Sequence, residues 1–259
     1  MRISDVIKVI EDFAPLSVQE DWDNCGLQVG DPDAQVKGIL VGFDCTPELV
    51  DEAVETGANL IVTHHPLIFR GVKKIMPTDP VGLAIMKAIA GGVAVYSAHT
   101  SADKVPGGVN TAFAGKLGLQ DPKVLEADAD GNGFGMVGNL KEPMTAQEFV
   151  EFVKKTFSLK CVRCSKPITG KISRVAVCGG SGSSLIGAAQ ASGAQAYLCG
   201  DVSYHYFITM DGFMILDIGH FEGEVEIVNI LFSLLKKNFP TFAVRMCRSL
   251  GSRNPVYYL

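Results

Sequence analysis

The chain has 259 residues, a formal net charge of −5 and a hydrophobic fraction of 47%, with a mean hydropathy of +0.22. That length suits one large domain or two of ordinary size, and the apolar fraction suits a substantial buried core. The acidic balance argues against non-specific binding to nucleic acid or to an anionic membrane. No apolar run approaches the ~20 residues of a transmembrane helix.

Met1–Phe13 reads as an amphipathic helix with charges spread through it, unlike the separate charged and apolar zones of a signal peptide. A cytoplasmic location is the expectation. Gly38–Phe43 reads as a buried strand. Thr46, Pro47 and Glu48 supply an N-cap, a proline at the first helical position and an acid in the first turn. Leu49, Val50, Ala53 and Val54 give this helix an apolar stripe, and Gly57 ends it. Ala58–Thr63 is a second strand, delivering His64-His65. The three elements form a βαβ unit, which favours parallel pairing with a right-handed crossover. Adjacent histidines cannot share a direction on a regular strand. His64-His65 therefore belongs to a turn, and Pro66 ends regular structure there. Lys73-Lys74, like Lys154-Lys155 and Lys236-Lys237, reads as a solvated face.

The run Gly92–Ala98 leads into His99-Thr-Ser-Ala-Asp103. Glu126–Gly135 is acidic and glycine-rich and reads as a linker or turn; it lacks the terminal glutamate of a calcium loop. Thr145 and Glu148 form a capping box opening a helix through about Phe157. Arg174–Cys178 is a strand, Gly179–Ser184 a tight loop, Leu185–Ser192 a helix and Gln195–Cys199 a strand. The glycine-rich loop could cradle a phosphate at a helix N-terminus or simply turn the chain. His205 either lines a cleft or serves no site. The run Gly212–Gly219 leads into His220-Phe-Glu-Gly-Glu224, and an apolar helix runs from Ile227 to Lys236-Lys237.

The seven cysteines form no disulfide framework. Cys178 and Cys199 sit beside apolar runs, where buried thiols are common. Cys161-Val-Arg-Cys164 is a lone pair without a second CxxC to complete a zinc site, and a structural reading is preferred.

The plan of the first half recurs in the second, with Gly57-Ala58 and Gly193-Ala194 at matching places and a histidine four residues before a carboxylate in each. Duplication explains both better than chance. Four of the five histidines fall at strand ends or just beyond, where ligands bind in α/β sheets. Imidazoles with carboxylates suit a borderline divalent metal. His64, His65, Asp103, His220 and Glu224 are the candidate ligands of a two-metal site with open positions, in which a carboxylate can bridge. His99 reads as a supporting or acid–base residue, or as a satisfied core histidine.

Several motifs carry a resemblance: Trp22–Gly30, Thr63–Phe69, Ser97–Asp103 with Gly107–Asn110, Gly131–Gly135, Cys199–Asp201 and Asp217–Glu224. Together they resemble the Nif-three-like dinuclear-metal family, also known as GTP cyclohydrolase 1 type 2 homologues. Ser101-Ala102 and Cys199 depart from its usual pattern without removing a ligand. The resemblance implies two similar three-layer α/β domains related by duplication, with the metals in the cleft between them. These are expected at residues 1–128 and 129–259, with no inserted domain. It places the ligands on the same five residues and implies a toroidal homohexamer. The ions remain open among Zn, Mn, Fe, Co and Ni. The implied activity is a metal-dependent hydrolase acting on GTP, giving dihydroneopterin triphosphate and formate, or on a related nucleotide. His99 or Glu222 would move protons. The alternative is a non-enzymatic metal-handling or regulatory interaction protein.

Overall fold

A computed structural model describes residues 1–248 and 254–258. The chain divides into two compact units: Met1–Val105 with Ile227–Tyr257, and Pro106–Glu226 with Tyr258–Leu259.

The first unit holds α1 (Ile3–Phe13), β1 (Gly26–Val29), β2 (Ile39–Val41), α2 (Pro47–Thr56), β3 (Leu60–Thr63), α3 (Pro80–Gly91), β4 (Ala94–Ser97) and α4 (Thr100–Lys104). Thr46 caps α2 by accepting from the Leu49 N–H, and Gly57 closes it in the left-handed conformation, as the sequence predicts. Strands β2, β3 and β4 run parallel, and β1 lies antiparallel on β4. All residues of the three parallel strands are buried, as in a sheet covered on both faces. Leu40, Ile61 and Val95 pack against Leu49, Val50 and Ala53 of α2 and Ala84, Ile85 and Ala88 of α3.

The second unit holds α5 (Val109–Lys116), β5 (Gln120–Ala127), β6 (Gly133–Thr145), α6 (Ala146–Phe157), β7 (Arg163–Cys164), β8 (Lys171–Ser181), α7 (Ile186–Ala191), β9 (Ala196–Gly200), β10 (Met214–Asp217) and α8 (His220–Glu224). The capping box at Thr145 and Glu148 is present. Strands β8, β9 and β10 are parallel, with β7 antiparallel on β10 and β6 antiparallel on β8. Successive side chains on β8 alternate between two cores. Val175 and Val177 meet Phe149, Val153 and Phe157 of α6. Ala176 and Cys178 meet Leu185 and Ala189 on the other face.

The duplication is visible in the topology. In each unit a helix and an antiparallel edge strand precede three parallel strands, and a five-residue helix follows the third strand, with His99 as the N-cap before Asp103 in the first and both His220 and Glu224 inside the helix in the second. The last elements, α9 (Glu226–Asn238) and β11 (Val244–Met246), return to the first unit, where β11 pairs parallel to β2.

The observed division differs from the expected boundary at 128/129. The first repeat ends at Val105, and Ile227–Tyr257 completes the first unit. The segment expected as a linker, Glu126–Gly135, is a hairpin inside the second sheet. The Asp128 carboxylate accepts from the Asp130 and Asn132 N–H groups and so closes the turn between β5 and β6. Glycines and acids favour hairpin turns as much as linkers, so composition alone could not separate the two. Among the described residues no helix is long and apolar enough to cross a membrane.

Candidate metal centre

In the first unit, parallel β3 and β4 end side by side, with Thr63 opposite Ser97. The two hydroxyls lie 3.0 Å apart, and both contact the His65 carbonyl. This ties down the turn that turns His64 and His65 out of the strand. The His64 ring, fully buried, donates from Nδ1 to the Ala98 carbonyl at 3.0 Å. His65 donates from Nδ1 to the Asp44 carboxylate at 2.8 Å. A carbonyl or an ionised carboxylate can only accept, so each Nδ1 carries a proton, which makes Nε2 the ring nitrogen that can ligate a metal.

His99 follows the same rule. Its Nδ1 donates to Asp23 at 2.8 Å, and the Asp23 side chain has no solvent exposure. Asp23 also accepts from the Thr100 N–H and hydroxyl and from the Cys25 thiol. Burial pushes the Asp23 carboxyl pKa up, but the hydrogen bonds from His99, Thr100 and Cys25 and the charge of His99 outweigh it. The group is held well below the usual carboxylate range and stays ionised. The ligand atoms of His64, His65 and His99 all lie within 4.8 Å of one another. Asp103, one turn along α4 from His99, puts a buried carboxylate oxygen 3.5 Å from the His64 Nε2.

In the second unit, β9 and β10 end side by side in the same way. The Asp217 carboxylate shapes the exit from β10 by accepting from the Gly219 N–H, the Val202 N–H and Arg163. His220 donates from Nδ1 to Asp201 at 2.8 Å, and its Nε2 lies 3.0 Å from Glu224, a side chain only 4% exposed. Asp201 occupies a left-handed conformation, φ 53°. Gly180 is required by space and conformation: a Cβ there would sit 2.0 Å from Glu224 Oε1, at a φ of +62°.

All four histidines therefore share one arrangement, an Nδ1–H committed to an acceptor and an Nε2 presented. Metal-ligating histidines are oriented in this manner, and with Asp103 and Glu224 the donor set suits a borderline divalent ion. These clusters could hold a metal.

The sequence matches the model of the family described as Duf34/NIF3 (NGG1p interacting factor 3) over residues 1–255. The chain belongs to this family. Among curated NIF3 relatives, a GTP cyclohydrolase 1 type 2 homolog of Clostridium acetobutylicum is 37% identical over 229 residues, covering 86% of this chain and 85% of the relative. One from Streptococcus pneumoniae is 34% identical over the whole length of both. The fold matches a Staphylococcus aureus protein at a TM-score of 0.92 and 28% identity, covering 100% of this chain and 99% of that one. It also matches a Bacillus cereus protein related to NIF3 at 0.93 and 24%, with the same coverage.

Sequence reasoning named the histidines and carboxylates but missed Asp23, Asp44 and Asp201, which orient them. Asp23 lies inside the Trp22–Gly30 motif, and Asp201 stands where the first repeat has His64-His65, so both had a signal. Asp44 had none, since an acid before a helix N-cap reads as a turn residue. Other candidates fall elsewhere. In the Gly179–Ser184 stretch β8 runs on to Ser181, and a 3₁₀ turn, Ser183–Leu185, leads into the six-residue α7. Gly179 and Gly180 serve close packing against α8. His205 lies exposed in a short 3₁₀ turn, Tyr204–Phe207. Cys161 and Cys164 are exposed free thiols, while Cys178 and Cys199 are buried as expected. Burial, with Asp217 nearby, pushes the Cys199 thiol up to about 12, which makes it inert at neutral pH.

Proposed function

We propose that this NIF3-family protein is a dinuclear divalent-metal hydrolase. His64, His65 and Asp103 of the first unit and His220 and Glu224 of the second would be its ligands. The observation that carries the reading is the shared histidine arrangement, which commits Nδ1 to an acceptor and leaves Nε2 as the ligating nitrogen in all three proposed histidine ligands. Bound ions would supply Lewis acidity and an activated water. The metal stays open among Zn, Mn, Fe, Co and Ni, all of which accept this nitrogen and oxygen set.

GTP or a related nucleotide is the substrate we favour, in line with the naming of relatives as GTP cyclohydrolase 1 type 2 homologs. Conversion of GTP to dihydroneopterin triphosphate and formate needs water added at C8 and then hydrolysis of a formamide. Both steps move protons. His99 can accept one at Nε2, because the ionised Asp23 at its Nδ1 stabilises the imidazolium that results. Glu222, two residues beyond His220, is the second candidate for proton movement. We further propose a toroidal homohexamer in the cytoplasm, checked by analytical ultracentrifugation and cell fractionation.

The alternative is a metal-handling or regulatory interaction protein without turnover. It takes support from the family description, which names an interaction rather than a reaction. Formate release from GTP by metal-loaded protein separates the two. The hydrolase reading expects release that His64→Ala and Glu224→Gln abolish. A nucleotide panel without metal-dependent turnover would favour the alternative.

A further inference from the structure

The chain has a single tryptophan, and it faces solvent: Trp22 is 59% exposed. Its ring lies edge-on to His99 at 6.1 Å and to Phe69 at 5.9 Å between centroids. Phe69 is itself 41% exposed and stands edge-on to His99 at 5.9 Å. Leaving two large aromatic surfaces in water forgoes burial energy, yet the structure holds both in place. The Asn24 amide donates to the Ile68 carbonyl at 2.6 Å, and the Ile68 N–H donates to Gln28 at 2.9 Å. The Gln28 amide in turn donates to the Asn24 carbonyl. The segments carrying Trp22 and Phe69 are thereby laced together beside the imidazole trio.

Past Phe69 the chain becomes basic. Arg70, Lys73 and Lys74 are exposed, and no acidic residue occurs between Pro66 and Thr78. None of the three cations makes an ion pair among the described residues. In a chain of net charge −5, this is a local reversal of sign next to an aromatic rim.

We propose that Trp22, Phe69 and the 70–74 loop form a subsite for a phosphorylated planar heterocycle. The ring stacks on the open face of Trp22, with Phe69 bounding it, and the phosphates meet Arg70, Lys73 and Lys74. Trp22 is sequence-adjacent to the aspartate that orients His99, so a base seated on it is held against the imidazoles. Stacking on an aromatic face and charge-assisted contacts to phosphate are the two general ways of holding a nucleotide without a glycine-rich loop. The proposal rests on the nucleotide reading above and adds the residues that select the substrate.

The single tryptophan supplies a readout independent of activity. Chelator-treated and metal-loaded proteins are titrated with GTP, guanosine and inorganic tripolyphosphate while tryptophan emission is followed. GTP and guanosine should quench saturably; tripolyphosphate should not quench but should displace GTP. By calorimetry, Trp22→Ala should weaken GTP about tenfold, and Trp22→Phe should restore most of the loss. Joint replacement of Arg70, Lys73 and Lys74 by alanine should weaken GTP and leave guanosine unchanged. Absence of saturable quenching by GTP and guanosine overturns the subsite, as does unchanged GTP affinity in Trp22→Ala. Quenching without turnover keeps the subsite and sinks the hydrolase. Turnover of GTP with an unchanged KM in Trp22→Ala does the reverse.

Discussion

Replacing Asp23 by asparagine tests the network that aims His99. The wild-type carboxylate receives His99 Nδ1–H at 2.8 Å, the Thr100 N–H at 3.0 Å, the Cys25 thiol at 3.1 Å and the Asn24 N–H at 2.7 Å, together with the Thr100 hydroxyl. Asparagine keeps the shape, removes the charge and turns one acceptor oxygen into an NH₂ that faces donors. Hydrogen bonds to a buried charged group are worth roughly 1.5–3 kcal/mol, and leaving donors of this network facing an NH₂ puts the case at the upper end, about 3 kcal/mol. At about 2–4 °C per kcal/mol for a chain of this size, the melting temperature should fall by about 6–12 °C. Urea and thermal unfolding followed through Trp22 report directly on the first unit. Asp201→Asn is the contrast, because the Asp201 side chain is 61% exposed and its bond to His220 should be worth less than about 1 kcal/mol. A loss under about 1 kcal/mol for Asp23→Asn, or equal losses for the two variants, would refute the assignment of a buried charged network to Asp23 alone.

Other expectations follow from the same geometry. Because the folded pKa of Asp23 lies below the ordinary aspartate value of about 3.9, its contribution is complete above that pH and is lost as the pH falls through the depressed folded value; wild type should lose this increment in acid titrations of stability, and Asp23→Asn should not. Gly180→Ala should lower stability by at least about 1–2 kcal/mol from its left-handed backbone, and should also reduce metal uptake measured by elemental analysis, because the new Cβ displaces the Glu224 carboxylate. Divalent metal at a hundred times its Kd should stabilise the protein by about 2.7 kcal/mol; chelator should remove the shift and His64→Ala should not show it. Phe149→Ala, at a fully buried site in the core of the second sheet, should cost about 3–5 kcal/mol in chemical denaturation, and a smaller loss would mean that this core repacks.

Local chemistry was legible in the sequence. Thr46, Pro47 and Gly57 delimit α2, and Thr145 with Glu148 opens α6, because caps act within one turn of chain. Buried parallel strands announce themselves as continuous apolar runs, and His64, His65, Asp103, His220 and Glu224 were marked by standing at the ends of such runs. The partners of those histidines were decided only by the tertiary structure. Asp23 meets His99, Asp44 meets His65 and Asp201 meets His220 across 76, 21 and 19 residues, and no periodicity relates side chains brought together by sheet pairing. The return of Ile227–Tyr257 to the first unit, and the folding of Glu126–Gly135 into a hairpin, were likewise decided in three dimensions. A turn has the same composition as a linker, and which strand a segment joins depends on an edge that exists only once the sheet has formed.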